Sequence, residues 1–357
     1  MQVGEQIKKQ DIMNENIKKL LFFLSLIKCR LFKIHKPLYV YWFITNKCNL
    51  KCEYCYGRFY ENSENELSTD ELLTLADLLV ENGMRRVTLL GGEPFIRSDI
   101  NLLVDKLYSK NVSILILSNG YNAINKPDIL KKIDEIGFSI DGSEDIQNKI
   151  RGDGYFQRLK ETIKFCKQFN KPIVLTYTLF EKNIDDIDFV MNFARENKLL
   201  LTINIAHGYI EKYKDFQIKK CSNSKYKSAL EKISDYKKKK YPLLRANYTL
   251  ECMKKWPDYC KDTAMTKPDN IFPECYFGKY AACVSASGAL YPCFLGSDSE
   301  HGKKILESGF QEAWENCRKI PKCSYCHVPC FLEYNALFEL NPSIIINLIK
   351  KLILKKI

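Results

Sequence analysis

From Leu38 to about Ala206 the chain alternates short apolar runs with longer amphipathic stretches. The runs are Tyr39–Thr45, Val87–Leu90, Ser113–Leu117, Gly137–Ile140, Val174–Leu179 and Leu201–Ile205, and each predicts a strand. Helical patterns lie between them, over Thr69–Asn82, Ile100–Ser109, Pro127–Ile133, Phe156–Phe169 and Ile184–Glu196. The first helix has an N-cap in Ser68 or Thr69 and acidic residues in its first turn, where they suit the helix dipole. Strands followed by helices, repeated, predict parallel β/α units with right-handed crossovers. In barrels of such units the chemistry gathers at the C-terminal ends of the strands.

Beyond Ala206 the pattern weakens. Residues 208–274 are polar and lysine-rich and predict a helical connector, with Cys221, Cys252 and Cys260 in no recognisable spacing. His207 either faces the site or is a surface or packing residue. Both ends of the chain are basic and amphipathic. Ile17–Ile34 contains the apolar core Leu20–Leu24, far short of the roughly 20 residues that span a bilayer. Ile344–Ile357 repeats apolar residues at helical spacing among Lys350, Lys351, Lys355 and Lys356. Such helices either lie on an anionic membrane surface or pack on the barrel or a partner subunit. The expected organisation is an N-terminal segment (1–37), a core (38–207), the connector (208–274), a cysteine-rich unit (275–331) and a C-terminal helix (332–357).

Of the 357 residues, 46% are hydrophobic and 27% charged, a globular composition with room for one large core and a smaller unit. The net charge of +12 is spread along the chain. Its densest run, Lys237–Lys240, sits near Glu231 and Asp235 and reads as a solvated helix face, so no nucleic-acid partner is expected. There are fifteen cysteines. Met1–Glu15 is polar and offers no secretory cleavage site, and the cysteine spacings look like chelation rather than a disulfide framework. A reducing cytoplasm is expected, with peripheral membrane contact if the basic ends serve that purpose.

Cys48, Cys52 and Cys55 follow the first strand in a C-x3-C-x2-C spacing. Three thiolates can hold three corners of a [4Fe–4S] cube and leave the fourth iron open. A zinc site would want a fourth Cys or His nearby, and the nearest histidine, His35, precedes the strand. The second run ends in Gly91-Gly92-Glu93-Pro94, where glycines let the backbone approach a ligand. Ser118 and Asn119 end the third run, and Ser139, Asp141 and Gly142 end the fourth, with Arg151 further on.

The cysteine triplet with Tyr54 before its last member, followed at this distance by the Gly-Gly-Glu motif, resembles the radical SAM enzymes. The resemblance implies a partial (β/α)6 TIM-like barrel, a better fit to six units than a closed eightfold one. It implies that the open iron chelates S-adenosylmethionine (SAM) and that reduction cleaves SAM to a 5′-deoxyadenosyl radical. It gives Gly91, Gly92 and Glu93 the SAM amino group, Ser139 and Arg151 its carboxylate, and Tyr54 an adenine contact. Ser118, Asn119 and Asp141 are further candidates for SAM, Asp141 being equally readable as a turn residue. A reducing partner such as ferredoxin or flavodoxin is expected.

Cys275-x12-Gly288-x4-Cys293, followed by Cys323-x2-Cys326, resembles the auxiliary-cluster domain called SPASM or its shortened form, twitch. A hairpin is expected around Ser287-Gly288. The segment departs from a full SPASM domain, because Cys330 follows Cys326 and no later cysteine exists. Cys275 onward supplies seven thiols where two closed clusters need eight, so one auxiliary [4Fe–4S] cluster is expected. Its ligands would come from Cys275, Cys293, Cys323, Cys326 and Cys330, with Cys283, Cys317 and Cys330 as alternates or partners of a second cluster and structural zinc as the alternative metal. The basic ends favour a membrane-associated lipid as substrate. The alternatives are a peptide or protein, and a non-catalytic iron–sulfur or zinc scaffold. Only 37 residues precede Leu38, so the leader-binding domain frequent in peptide maturases is expected to be absent.

Overall fold

The computed structural model describes residues 13–57, 65–206, 221–259, 264–265, 271–294, 301–320 and 325–353. His207, Cys260 and Cys323 lie outside the described residues. Helix α1 (Glu15–Leu31) leads into β1 (Tyr39–Thr45), α2 (Thr69–Glu81), β2 (Arg86–Gly91), α3 (Ile100–Ser109), β3 (Ser113–Ser118), α4 (Pro127–Lys132) and β4 (Glu135–Ile140). Then come α5 (Glu144–Arg151), α6 (Tyr155–Cys166), β5 (Ile173–Leu179), α7 (Ile187–Glu196) and β6 (Leu200–Ile205). Strands β1 to β6 pair in chain order and all in parallel, which is the expected partial barrel of β/α units.

Local sequence explains these elements. Ser68 is the cap of α2, closing a capping box in which the Glu71 carboxylate accepts from the Ser68 amide. Leu72, Leu75, Ala76 and Leu79 then recur on one buried face. Each leucine there contributes about 1.5–3 kcal/mol by leaving water. Strand β1 is buried at all seven positions, as befits a strand covered on both faces.

The connector holds α8 (Asn223–Lys238) and α9 (Asn247–Lys254), and is followed by the short β7 (Ala264–Met265). Next come β8 (Ala281–Val284) and β9 (Ala289–Tyr291), then β10 (Lys303–Lys304), α10 (Ile305–Ser308) and α11 (Phe310–Lys319). The chain continues through β11 (Tyr325–Cys326), α12 (Pro329–Phe338) and α13 (Pro342–Ile353). The β8–β9 hairpin turns at Ser287-Gly288 as expected. It is not a sheet apart. Strand β8 pairs in parallel with β1, so the sheet runs β10-β9-β8-β1 and on to β6.

Helix α1 packs beneath the barrel. Phe22, Leu26 and Cys29 are buried. The Lys18 ammonium, also buried, bonds Asp134 at 3.1 Å and the Val112 carbonyl at 3.2 Å. Helix α13 lies beside it, and the two cover a cavity of about 270 Å³ at the N-terminal ends of the strands. The inner face of α1 is therefore packing. Its outer face leaves Leu20 53% and Leu24 50% exposed. No helix among the described residues is long and apolar enough to cross a membrane.

Candidate active site

The three cysteines after β1 line one cavity of about 260 Å³ at the C-terminal ends of the strands. Protein contacts hold their loop. Glu66 accepts hydrogen bonds from the Thr45 hydroxyl (2.8 Å) and the Asn46 amide (2.7 Å). The Asn119 side chain donates to Asn49 Oδ1 at 2.8 Å, tying the loop to the end of β3. The Leu50 amide donates to Cys48 Sγ at 3.5 Å. The Gly92 and Glu93 amides donate to the Thr45 and Lys47 carbonyls, both at 2.8 Å. Gly91 has φ +136°, and a Cβ there would stand 2.2 Å from the Thr45 oxygen. A Cβ on Gly92 would stand 2.0 Å from the Lys47 oxygen. Both glycines are needed for the two loops to lie this close.

Glu93 is fully buried and does not line the cavity. Its carboxylate accepts from the Phe95 amide (3.0 Å), the Asn119 amide (2.7 Å) and the Ser118 hydroxyl (2.9 Å). Burial pushes its pKa up to about 7 against the pull of those bonds. In this conformation Glu93 braces the ends of β2 and β3, while Gly91, Gly92, Ser118 and Asn119 face the cavity.

Asp141 and Arg151 form a buried ion pair, their side chains 0% and 5% exposed. The Tyr54 hydroxyl donates to Asp141 and accepts from Arg151 Nη2. Asp141 is thus more than a turn residue: it fixes both the guanidinium and the phenol. Arg151 Nη1 has no partner among the described residues, and Arg151 lines the cavity beside the hydroxyl of Ser139. The Tyr54 ring packs on Phe180 with centroids 4.9 Å apart, giving one wall an aromatic surface.

Thr176 and Thr178 of β5, Asn204 of β6, Phe294 and Val328 also line the cavity. The first three were detectable, since they are polar residues at every second position of otherwise apolar strands, the inward face of a pleat. Asn49 and Glu66 carried no comparable signal. Phe294, Val328 and Cys330 reach the cavity from the cysteine-rich unit, which therefore forms part of its wall.

Tyr56, stacked on Phe294 at 5.0 Å, has Cys55, Cys283, Cys293 and Cys330 as electrostatic neighbours. Cys275 and Cys326 belong to the same core cluster, whereas Cys317 packs in the main barrel core. Burial raises the Cys48 thiol to about 11 and pushes up Cys52, Cys283 and Cys330. A metal must displace those protons to bind. Among the described residues no group of three or more Cys, His, Asp or Glu side chains stands close enough to hold a metal ion. The donor set of the triplet still fits an open iron–sulfur cluster: three thiols on one cavity, beside a backbone cradle that a single Cβ would fill.

A parallel partial barrel with a cysteine triplet and a glycine-braced loop at its mouth is the architecture of radical SAM domains, and residues 42–194 match the model of the Radical SAM superfamily. That family works with a [4Fe–4S] cluster and SAM. Among curated relatives, Fe-coproporphyrin III synthase of Methanosarcina barkeri is 32% identical over 174 residues, 47% of this chain and 43% of that protein. The sporulation killing factor maturation protein SkfB of Bacillus subtilis is 29% identical over 152 residues, 42% of this chain and 37% of SkfB. The chain thus spans less than half the length of either. Streptococcus suis SuiB bound to S-adenosylmethionine gives a TM-score of 0.63 at 17% identity, over 87% of this chain and 75% of SuiB. SuiB bound to its precursor peptide SuiA gives 0.61 at 18% identity, over 90% and 76%. At these identities the structural likeness speaks for the fold.

Proposed function

We propose that this chain is a radical SAM enzyme that modifies a peptide or protein. When bound, a [4Fe–4S] cluster and SAM supply an electron and a 5′-deoxyadenosyl radical that takes a hydrogen atom from the substrate. The protein's part is to hold and shield. Cys48, Cys52 and Cys55 offer the thiolates. Gly91 and Gly92 leave room for the SAM amino group, with Glu93 keeping their loop in place. Ser139 and Arg151 Nη1 receive the SAM carboxylate, and Asp141 aims the guanidinium. Tyr54, backed by Phe180, gives the adenine an aromatic surface. The cysteine-rich unit covers one side of the mouth and keeps water from it. That unit would carry one auxiliary [4Fe–4S] cluster, drawn from Cys283, Cys293 and Cys330 near Tyr56 together with Cys275, Cys323 or Cys326. A ferredoxin or flavodoxin would supply electrons.

The observation that carries the reading is the convergence of three thiols, Ser139 and Arg151 on one cavity at the strand ends. The names of SkfB and of the SuiB–SuiA complex support a peptide ahead of the lipid suggested by the basic ends. The test is the triple variant C48A/C52A/C55A. Reconstituted without oxygen, the parent should hold about eight irons and convert SAM to 5′-deoxyadenosine with dithionite; the variant should hold about four and make none. SAM cleavage by the variant sinks the assignment. About twelve irons in the parent would mean two auxiliary clusters, and zinc in place of the residual iron would remove any role in electron relay.

A further inference from the structure

Below the SAM cavity lies a second chamber of about 130 Å³ inside the barrel. Tyr41, Thr176, Asn204 and Cys330 line both, so the chamber is the floor of the candidate active site. Arg245, from the connector, enters its wall. Its Nε donates to the Thr202 hydroxyl at 2.8 Å. Its other four N–H groups have no hydrogen-bond partner among the described residues.

Three buried or half-buried arginines of the barrel differ. Arg86 has Glu135 at 3.0 Å, Arg97 has Asp99 at 2.7 Å, and Arg151 has Asp141. Arg245 has no carboxylate within 4.0 Å among the described residues. Glu333 is its electrostatic neighbour, but that carboxylate accepts from the Ala246 amide (3.1 Å) and the Thr249 hydroxyl (2.7 Å). Two residues beyond Thr202 on the inward face of β6, Asn204 has an Oδ1 buried without a partner among the described residues. A guanidinium with open donors, set inside a barrel, is a carboxylate receptor in waiting, because its planar fork matches that group and its Nη1 and Nη2 donors stay open. The adjoining Asn204 acceptor suits an N–H next to that carboxylate.

We propose that Arg245 is the anion anchor of the substrate pocket and receives the side-chain carboxylate of an aspartate or glutamate in the substrate. The peptide part of this claim rests on the function proposed above; the carboxylate part does not. Arg245 is a binding residue, remote from the cysteine triplet, that would fix which residue of the substrate sits under SAM.

The experiment uses the cluster-loaded protein with SAM, without oxygen. The first arm adds glutarate or glutaramide and follows the thermal midpoint. Millimolar glutarate should raise the midpoint of the parent and leave R245Q unmoved, and glutaramide should move neither. R245K keeps the cation but loses the fork, so it should retain part of the shift and guards against misfolding of R245Q. The second arm selects displayed random peptides on the parent and on R245Q. The parent should enrich Asp or Glu over Asn or Gln at one position by at least tenfold, and R245Q should lose that preference. No glutarate shift in the parent, or an equal shift in R245Q, overturns the anchor. A glutarate shift that needs Arg245, with no peptide selected on either protein, keeps the anchor and overturns the peptide.

Discussion

Two sets of cysteines flank the same cavity, and they are held differently. The Cys48–Cys55 loop is stitched to the barrel by Glu66, Asn119 and the backbone of Gly92 and Glu93. The later cysteines sit on separate short elements. Cys283 is on β8, Cys293 follows β9, Cys326 is on β11 and Cys330 is in the first turn of α12. Around them lie aromatic contacts such as Tyr56 on Phe294 and Phe294 on Phe331, with backbone hydrogen bonds from Phe294 to Cys283 and from Phe331 to Cys330. The loop of the first site is therefore anchored by the protein's own hydrogen bonds, while its three thiols do not stand close enough together to hold a metal. The second would owe more of its order to the metal.

The strongest way to break this contrast is to attack the braces of the barrel. D141N leaves the Arg151 guanidinium buried without its counter-charge, which should cost about 3–5 kcal/mol. Urea unfolding of the metal-free protein should read that loss; a change under about 1 kcal/mol would mean that the triad with Tyr54 is not a brace.

Glu93 gives the next effect. Its folded pKa of about 7 lies above the ordinary 4.5, so the native state binds the proton more tightly than the unfolded chain. Its contribution to stability is then full below about pH 4.5 and is lost as pH rises through 7. The wild type should lose about 2–3 kcal/mol relative to E93Q between pH 5 and 8. A pH-independent difference would show that the three hydrogen bonds keep Glu93 ionised throughout.

Iron sharpens the other half of the contrast. Reconstitution should slow amide exchange in 281–293 and 325–338 about tenfold, the signature of a locally marginal segment gaining a ligand. Strands β3 to β5 should exchange as before. Equal slowing across the barrel would erase the distinction between the two sites.

The same division governs what could be read in the sequence. The six strands and the α2 cap follow from period and capping, which are local. The triplet loop, Gly91, Gly92 and Ser139 reach one cavity because they lie at or beyond strand ends, and Arg151, the last residue of α5, is brought there by Asp141. Tertiary context alone gave Glu93 its buried bracing position and Asp141 its partner. Arg245 was beyond reach because the connector has no strand period, and the bond to Thr202 joins residues far apart in the chain. The pairing of β8 with β1 was hidden for the same reason: a hairpin is legible, but not the strand it will lie beside.

That pairing bears on how the molecule is made. Tyr39 lies beside Ala281 and Trp42 beside Val284, so the second neighbour of β1 comes from much later in the chain. Ribosomes add about 5–20 residues per second, so β1 waits roughly ten seconds or more after its own synthesis for β8. During that wait the barrel can assemble around β2 to β6, but one edge of β1 has unpaired amides and carbonyls. An open edge on so apolar a strand is a template for pairing with another nascent chain. The last step of the sheet is a long-range closure, slow by nature, and it makes translation speed and chaperone supply the levers on the yield of folded protein.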